Sequence, residues 1–308
     1  MKNTLLLSSA LTLALSTQAF AASCDKITFA DVGWTDITAT TAATSLVLEA
    51  LGYETEVQVL GLPVTFEGLA QKDLDVFLGL WLPSMESNIA PYREAGTIDT
   101  VRVNLEGAKY TLATNAAGAA LGIKEFADIA KHAKALEGEI YGIEPGNDGN
   151  QIILDMIEAD AFGLKGVELV ESSEQAMLAE VARAEASNKP IVFLGWEPHP
   201  MNANFNLTYL SGGDEFFGPD FGGATVSTNT RAGYIAECPN QGKLLENLAF
   251  SLKMENEIMG AILNDGAEPR DAAKVWLTAN PDAWTPWLAG VTSKDGGDAV
   301  AAVKAALN

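Results

Sequence analysis

Two apolar segments of the chain have nearly the same sequence, and each ends with a tryptophan that a proline follows two residues later. They are residues 76–83 (VFLGLWLP) and residues 192–198 (VFLGWEP). A continuous apolar run of this length is typical of a strand that is buried on both faces, as in parallel sheets covered by helices. Proline cannot continue the hydrogen-bonded ladder, so Trp81 and Trp196 are predicted to lie at the carboxyl ends of their strands. Ligands bind at this edge of open α/β sheets, and the repeat therefore predicts two similar lobes that face each other across a cleft.

The rest of the pattern alternates between strands and helices and passes through the same architecture twice. The first series predicts strands over 26–30, 54–60 and 75–81 with helices over 37–51 and 65–72. The second series predicts strands over 110–114, 139–143, 167–170 and 191–196 with helices over 123–136, 150–162 and 173–187. A further strand is predicted over 223–230, and further helices over 244–263, 271–278 and 299–307. Such alternation is the basis of doubly wound sheets.

The pattern therefore predicts an α/β fold of two lobes, each with a central sheet flanked by helices. No third α/β unit is predicted after residue 230, so we expect the C-terminal helices to complete the first lobe. The first lobe is assigned to residues 22–107 and 231–308, and the second lobe to residues 108–230. Two lobes that are joined by two crossings form a hinge.

Residues 1–21 have the features of a secretory signal peptide. Lys2 precedes a mostly apolar run over residues 5–15, and Ala19-Phe20-Ala21 fits the small-x-small cleavage pattern. The apolar run is too short to span a membrane, so we expect an exported, soluble protein that is cleaved near Ala21 or Ala22. A lipoprotein anchored through Cys24 is the alternative, although the residues before this cysteine lack the expected leucine.

Charge and cysteine content narrow the classes of partner and compartment. The formal net charge is −22, which disfavours nucleic acid and anionic membranes as partners and is compatible with a cationic ligand. Cys24 and Cys238 are the only cysteines in the sequence. In an oxidising compartment they most simply form a disulfide, and two buried free thiols are the alternative.

Candidate binding residues follow the predicted strands of both lobes. Trp34 and Asp36 follow the first strand, Trp81 ends the third, Asn147 follows a strand of the second lobe and Trp196 ends the last. The first residue of the second series, Tyr110, also lies close enough to the crossing to reach the cleft. Aromatic ring faces attract cations at roughly 0.5–2 kcal/mol each, and a cage of such rings suits a quaternary ammonium group, which has no N–H to donate.

Each candidate also has a purely structural interpretation. A tryptophan at a strand end often covers a core, and Tyr110 alone would be a sheet residue. Thr35 or Asp36 is expected to cap the helix over 37–51. Asn147 or Asp148 is expected to cap the helix over 150–162. Repetition across both lobes favours the binding interpretation over these alternatives.

Other residues give no sign of catalysis, a metal site or a cofactor. Nucleophile-elbow, Walker and zinc-protease motifs are absent from the sequence, and its two histidines, His132 and His199, are isolated. We therefore expect neither an enzyme nor a metal or cofactor site. Three tryptophans are assigned to core packing at the C-terminal end: Trp276, Trp284 and Trp287.

Taken together, five short motifs resemble the glycine betaine/choline group of periplasmic binding proteins that serve ABC importers, and within it the choline-binding proteins. The motifs are GWTD (33–36), LWLP (80–83), KY (109–110), PGND (145–148) and GWEPHP (195–200). The resemblance implies a type II two-lobed periplasmic protein, a monomer that closes over choline and delivers it to a membrane permease. It implies that Trp34, Trp81, Tyr110 and Trp196 enclose the trimethylammonium group. It also implies that Asp36 accepts a hydrogen bond from the choline hydroxyl, with Asn147 as a second partner for this group.

Three other functions remain open. Glycine betaine or another osmoprotectant is an alternative ligand, although an ionised Asp36 would repel its carboxylate. A secreted carbohydrate-binding module also uses tryptophan platforms, and an enzyme acting on choline esters would need a nucleophile that no motif provides.

Overall fold

The computed structural model describes residues 24–308, so the predicted signal peptide lies outside the described residues. This part of the chain contains nine strands, which are β1 Lys26–Asp31, β2 Glu54–Val59, β3 Val76–Leu82, β4 Ile98–Asn115, β5 Glu139–Tyr141, β6 Glu168–Val170, β7 Val192–Glu197, β8 Leu207–Tyr209 and β9 Gly223–Arg231. The predicted positions of Trp81 and Trp196 at the carboxyl ends of their strands are confirmed, since β3 and β7 end one residue after them.

Helices flank these strands along the whole described chain. They are α1 Thr35–Ala50, α2 Leu62–Gln71, α3 Glu86–Glu94, α4 Ala116–Leu121, α5 Phe126–Lys131, α6 Asp148–Glu158, α7 Glu174–Ser187, α8 Met201–Asn204, α9 Asp214–Phe217, α10 Pro219–Gly222, α11 Tyr234–Glu237, α12 Pro239–Asn247, α13 Leu252–Leu263, α14 Pro269–Ala279, α15 Pro281–Trp284 and α16 Ala299–Leu307. Short 3₁₀ helices cover Ala161–Gly163 and Thr285–Leu288. Within residues 24–308, every helix is too short or too polar to cross a membrane.

All nine strands belong to one connected sheet of order β2-β1-β3-β9-β4-β7-β5-β6, with β8 paired to β4. At one end, β1 pairs in parallel with both β2 and β3. At the other end, β5 pairs in parallel with both β6 and β7. The antiparallel strands β4 and β9 join the two ends. Each parallel group therefore has its own carboxyl edge, and such edges are where open α/β sheets bind ligands.

The long strand β4 is the main link between the two ends of the sheet. Its residues 98–109 pair with β9, and its residues 109–114 pair with β7. The sequence predicted only residues 110–114 of this strand, because the polar residues and Gly107 before them interrupt the apolar pattern. One predicted crossing, after residue 107, falls inside β4, and the other falls at the end of β9. The division of the chain into lobes at these positions stays a prediction.

Two predicted helices are wrong in their extent. The helix expected over 244–263 is two helices, because Ser251 caps the start of α13 and the backbone N–H of Phe250 instead donates to the carbonyl of Asn104. The helix expected over 123–136 is the shorter α5, which begins after Glu125 and gives way to turns. In both places hydrogen bonds outside the helix replace those that a continuous helix would make.

The expected assignment of the C-terminal tryptophans to the core is confirmed. Trp276, Trp284 and Trp287 are all buried among the helices that follow β9. The predicted disulfide is also present and joins Cys24, just before β1, to Cys238, just before α12. The bridge fixes the returning C-terminal segment to the start of the first strand.

Candidate functional site

One cavity lies where the carboxyl edges of the two parallel groups of strands meet. The empty space between its lining atoms, including space that is open to solvent, is about 270 Å³. All six predicted ligand-binding residues line it, and its lining consists of Trp34, Asp36, Trp81, Met85, Tyr110, Ile143, Asn147, Asp148 and Trp196. The structure therefore brings together residues that are up to 162 positions apart in the chain, from Trp34 to Trp196.

Four of the nine residues that line the cavity are aromatic. Tyr110 is central, with ring centroids 6.0 Å from Trp81 and 6.2 Å from Trp196, and its ring is steeply inclined to both. Phe217 packs edge-on behind Tyr110 at 6.0 Å. Trp34 contributes a further indole from the loop between β1 and α1. Four lining rings form a cage and are each at most 6% exposed: Trp34, Trp81, Tyr110 and Trp196. A cation among them would be shielded from water, and its attraction to the rings is strongest when it is desolvated.

Trp34 also connects the two sides of the cavity. Its indole Nε1 donates a hydrogen bond of 2.7 Å to Oε1 of Glu144, which follows β5 on the opposite side. Burial raises the pKa of Glu144 to about 7, and the Trp34 bond acts in the opposite direction. This hydrogen bond fixes the position of an indole that lines the cavity and joins it to the opposite side.

Asp36 lies in the first turn of α1 and is 2% exposed. Oδ2 accepts a hydrogen bond of 3.2 Å from the indole Nε1 of Trp81, whereas Oδ1 has no hydrogen-bond partner among the described residues. Burial, and next the carboxylate of Glu174, raise the pKa of Asp36 to about 7. The expectation that Thr35 or Asp36 caps α1 is wrong, because Trp34 occupies the N-cap position and both residues are helical. The carboxylate of Asp36 is therefore available to the cavity.

Asn147 caps α6, as one of the alternatives predicted. Its Oδ1 accepts hydrogen bonds from the hydroxyl of Tyr110 at 3.0 Å and from the backbone N–H of Asn150 at 3.1 Å. Its Nδ2 donates to Oδ1 of Asp148 at 3.0 Å. The amide oxygen already has two donors, so only the amide N–H₂ of Asn147 is free for a further contact. In this structure Asn147 mainly fixes the positions of Tyr110 and Asp148.

Asp148 also lines the cavity, although the sequence predicted for it no role beyond a possible helix cap within the PGND motif. It is 2% exposed, and its Oδ2 has no hydrogen-bond partner among the described residues. Burial raises the pKa of Asp148 to about 6. The sequence places Asp148 next to Asn147 after β5, which was a usable signal, but either residue can cap a helix. The apolar lining residues Met85 and Ile143 had no comparable signal.

The cavity thus combines four ring faces with two carboxyl groups that each keep an unpaired oxygen. Rings of this kind stabilise a positive charge, and unpaired carboxylate oxygens accept hydrogen bonds or balance such a charge. A cavity of buried rings and a few polar groups between the edges of two sheet halves is typical of solute-binding proteins that enclose a small ligand.

The family of the chain agrees with this class. Residues 25–279 match the family described as the substrate-binding domain of ABC-type glycine betaine transport systems. The chain belongs to this family, whose members are transport proteins, and its fold is that of type II periplasmic binding proteins.

Proteins that are similar to the chain include two solved structures of choline-binding proteins and a curated glycine betaine/carnitine-binding protein. An ABC-transporter choline-binding protein in complex with choline is 68% identical, with a TM-score of 0.92 and coverage of 93% of this chain and 99% of that chain. An ABC-transporter choline-binding protein in an unliganded semi-closed conformation is also 68% identical, with the same coverage and a TM-score of 0.86. The glycine betaine/carnitine transport binding protein GbuC of Listeria monocytogenes is 33% identical over 129 residues, which cover 42% of each protein.

Proposed function

We propose that this protein binds choline in the cavity and delivers it to an ABC permease without altering it. The observation that carries the proposal is the shared cavity of Trp34, Trp81, Tyr110 and Trp196 with the unpaired oxygen of Asp36. The 68% identity to a protein solved with choline supports the same ligand. The chain is also more similar to that complex than to the unliganded semi-closed form, with TM-scores of 0.92 and 0.86.

The polar side of the cavity favours choline over glycine betaine. Two buried carboxyl groups, Asp36 and Asp148, each present an oxygen without a partner among the described residues. A cationic ligand with a hydroxyl would offset their negative charge and donate to one of them. A ligand carboxylate would instead be repelled by both groups when they are ionised, in a site where water screens charge poorly. We therefore assign the choline hydroxyl to the neighbourhood of Asp36, with the amide N–H₂ of Asn147 as its other partner.

Isothermal titration calorimetry with choline and glycine betaine tests the proposal. Wild type should bind choline more tightly than glycine betaine. Trp81→Ala should weaken choline binding by about tenfold or more, because it removes a ring face and the donor to Asp36. Asp36→Asn should weaken choline binding and reduce the preference over glycine betaine, because the like-charge repulsion is removed.

Matched controls separate the site from general effects on folding. Trp276→Phe removes an indole N–H that donates to a carboxylate, Glu257, outside the cavity, and Asp73→Asn removes an exposed charge. Neither change should alter choline affinity. Absence of choline binding by wild type, or equal binding by wild type and Trp81→Ala, contradicts the proposal. Tighter binding of glycine betaine than of choline would assign the site to the osmoprotectant instead.

Export is part of the same proposal. We propose that residues 1–21 are cleaved near Ala21 or Ala22 and that the mature chain acts in the periplasm as a monomer. The disulfide between Cys24 and Cys238 supports an oxidising compartment. N-terminal sequencing of protein from a periplasmic extract, together with light scattering of the purified protein, tests the cleavage site and the monomeric state.

A further inference from the structure

A buried carboxylate outside the cavity joins the two sides of the molecule. Glu174 is the first residue of α7 and is 1% exposed. Its Oε2 accepts a hydrogen bond of 2.9 Å from the backbone N–H of Thr35, and its Oε1 accepts one from the hydroxyl of Thr35. Thr35 begins α1 on the opposite side and lies between the cavity residues Trp34 and Asp36.

This contact supplies what α1 lacks in its own sequence. The first N–H groups of a helix have no partner within the helix, and a side chain at the N-cap position usually accepts from one of them. The N-cap of α1 is Trp34, whose side chain makes no capping hydrogen bond. On the other side, α7 carries its own cap, since Ser173 accepts from the backbone N–H of Ala176. The N-terminus of α1 is therefore capped by a negative charge from the other lobe, which the helix dipole also favours.

His199 holds the carboxylate in position. Its Nδ1 accepts a hydrogen bond of 2.9 Å from the backbone N–H of Met201, so the ring proton belongs on Nε2. Nε2 lies 3.2 Å from Oε1 of Glu174 and donates to it. The imidazole is 1% exposed and packs against the indole of Trp196, with ring centroids 5.0 Å apart. The same residue thus contacts both the carboxylate and a wall of the cavity.

We infer that Glu174 and His199 are positioning residues that hold the two lobes closed over the bound ligand. This inference rests on the proposed function and adds a closing contact that lies outside the ligand cavity. When the lobes separate, Glu174 and the N-terminus of α1 separate with them, and water hydrates both. The contact therefore stabilises only the closed state, and a stabilised closed state releases its ligand more slowly.

Stopped-flow tryptophan fluorescence of choline binding, with small-angle X-ray scattering of the same samples, tests the inference. Glu174→Gln should raise the dissociation rate constant about tenfold, equivalent to about 1.4 kcal/mol, and leave the association rate constant unchanged. Its choline-saturated form should also have a larger radius of gyration than that of wild type. Thr35→Val, which keeps the backbone N–H and loses the hydroxyl, should change dissociation in the same direction by a smaller factor. The matched control is Glu168→Gln, an exposed glutamate on β6.

The outcomes separate this inference from the proposed function. If wild type binds choline and both Glu174→Gln and Thr35→Val match Glu168→Gln in dissociation and compactness, the inference is overturned. If wild type does not bind choline, the proposed function fails, and scattering of the ligand-free proteins decides the inference. A larger radius of gyration for Glu174→Gln than for Glu168→Gln then supports the closing contact, and equal values overturn it. Should Glu174→Gln fail to fold, Thr35→Val alone decides the same comparison.

Discussion

Asp36 is buried, and one of its carboxyl oxygens has no hydrogen-bond partner among residues 24–308, so a donor from the ligand would stabilise it. A buried acceptor without a partner costs about 1–3 kcal/mol, and an ionised one costs more. The indole of Trp81 satisfies only Oδ2, and no partner among residues 24–308 reaches Oδ1. Because of this burial, the pKa of Asp36 lies at about 7, so near neutral pH the group is partly protonated. A cationic ligand would reverse this balance by stabilising the ionised form.

Choline affinity should therefore depend on pH. The pKa of Asp36 is about 7 and that of Asp148 is about 6, so protons must leave one or both groups when a cation binds. Affinity should rise between pH 5 and pH 8 by about tenfold or more, because each pH unit below such a pKa costs a factor of ten per proton released. Calorimetry in buffers of different ionisation enthalpy should detect that proton release at pH 6.5.

The same raised pKa values affect the stability of the ligand-free protein in the opposite direction. Between the ordinary pKa of an aspartate, about 3.9, and the folded-state value, the folded protein holds protons that the unfolded chain has released. These groups therefore lower stability as pH rises through this interval. Asp36→Asn should remove its share of both effects. If the choline affinity of wild type does not change from pH 5 to pH 8, the prediction that choline binds to ionised Asp36 or Asp148 is wrong.

Helix starts, rather than helix interiors, place most of the polar side chains of the site. Asp36 lies in the first turn of α1, Asn147 caps α6 and Asp148 begins it. Short polar side chains are favoured at these positions, so the same residues serve local structure and the cavity. The next residue of α6, Gly149, lets the helix approach the ring of Tyr110 closely. A Cβ there would lie 2.0 Å from the Tyr110 hydroxyl oxygen and 2.6 Å from Cζ.

Gly149→Ala should therefore disturb the cage. Tyr110 is confined by Trp81, Trp196 and Phe217, so its ring has to shift and its hydrogen bond to Asn147 weakens. We expect choline affinity to fall by about tenfold, since a ring face and a fixed polar partner move together. Overpacking of this kind also costs roughly 1–3 kcal/mol of stability. Calorimetry and urea unfolding measure the two effects.

The matched control for this substitution is Gly260→Ala in α13. No atom lies within 4 Å of a Cβ at that position, apart from the helix itself and the adjacent residues. Alanine should raise stability there by up to about 1 kcal/mol through its helix propensity, with no change in choline affinity. If Gly149→Ala folds and binds like wild type, close packing of α6 against Tyr110 does not shape the cage.

The sequence could predict those parts of the site that depend on strand ends. A tryptophan before a proline identifies the end of a buried strand, and the carboxyl edges of such strands carry ligands, so Trp81 and Trp196 could be placed early. The hydrogen bond between Thr35 and Glu174 could not be predicted, because these residues are 139 positions apart and only the tertiary fold brings them together. The split between α12 and α13 has a similar cause, since Phe250 bonds to Asn104 of β4. Long-range hydrogen bonds override local helical periodicity at such points.

At the scale of the whole molecule, the disulfide joins residues 214 positions apart. Cys24 precedes β1, and Cys238 lies between α11 and α12. The chain between them includes every residue of β5, β6 and β7. In the unfolded chain the bridge closes this long loop and so removes conformational freedom. Neither cysteine lines the cavity, and Gln241, which donates to the backbone carbonyl of Cys24, lies outside the lining as well. The effect of the bridge on stability should therefore be separable from binding.

Replacement of both cysteines by serine should lower the free energy of unfolding by about 2–5 kcal/mol and leave choline affinity unchanged. Urea unfolding and calorimetry, each in the presence of choline as well as without it, measure the two quantities. A reducing agent should lower the stability of wild type to that of the double variant and should not affect the variant itself. Loss of affinity in a double variant that is fully folded would show that the bridge also shapes the cavity. It would then act through β1, whose carboxyl end leads directly into Trp34 and α1.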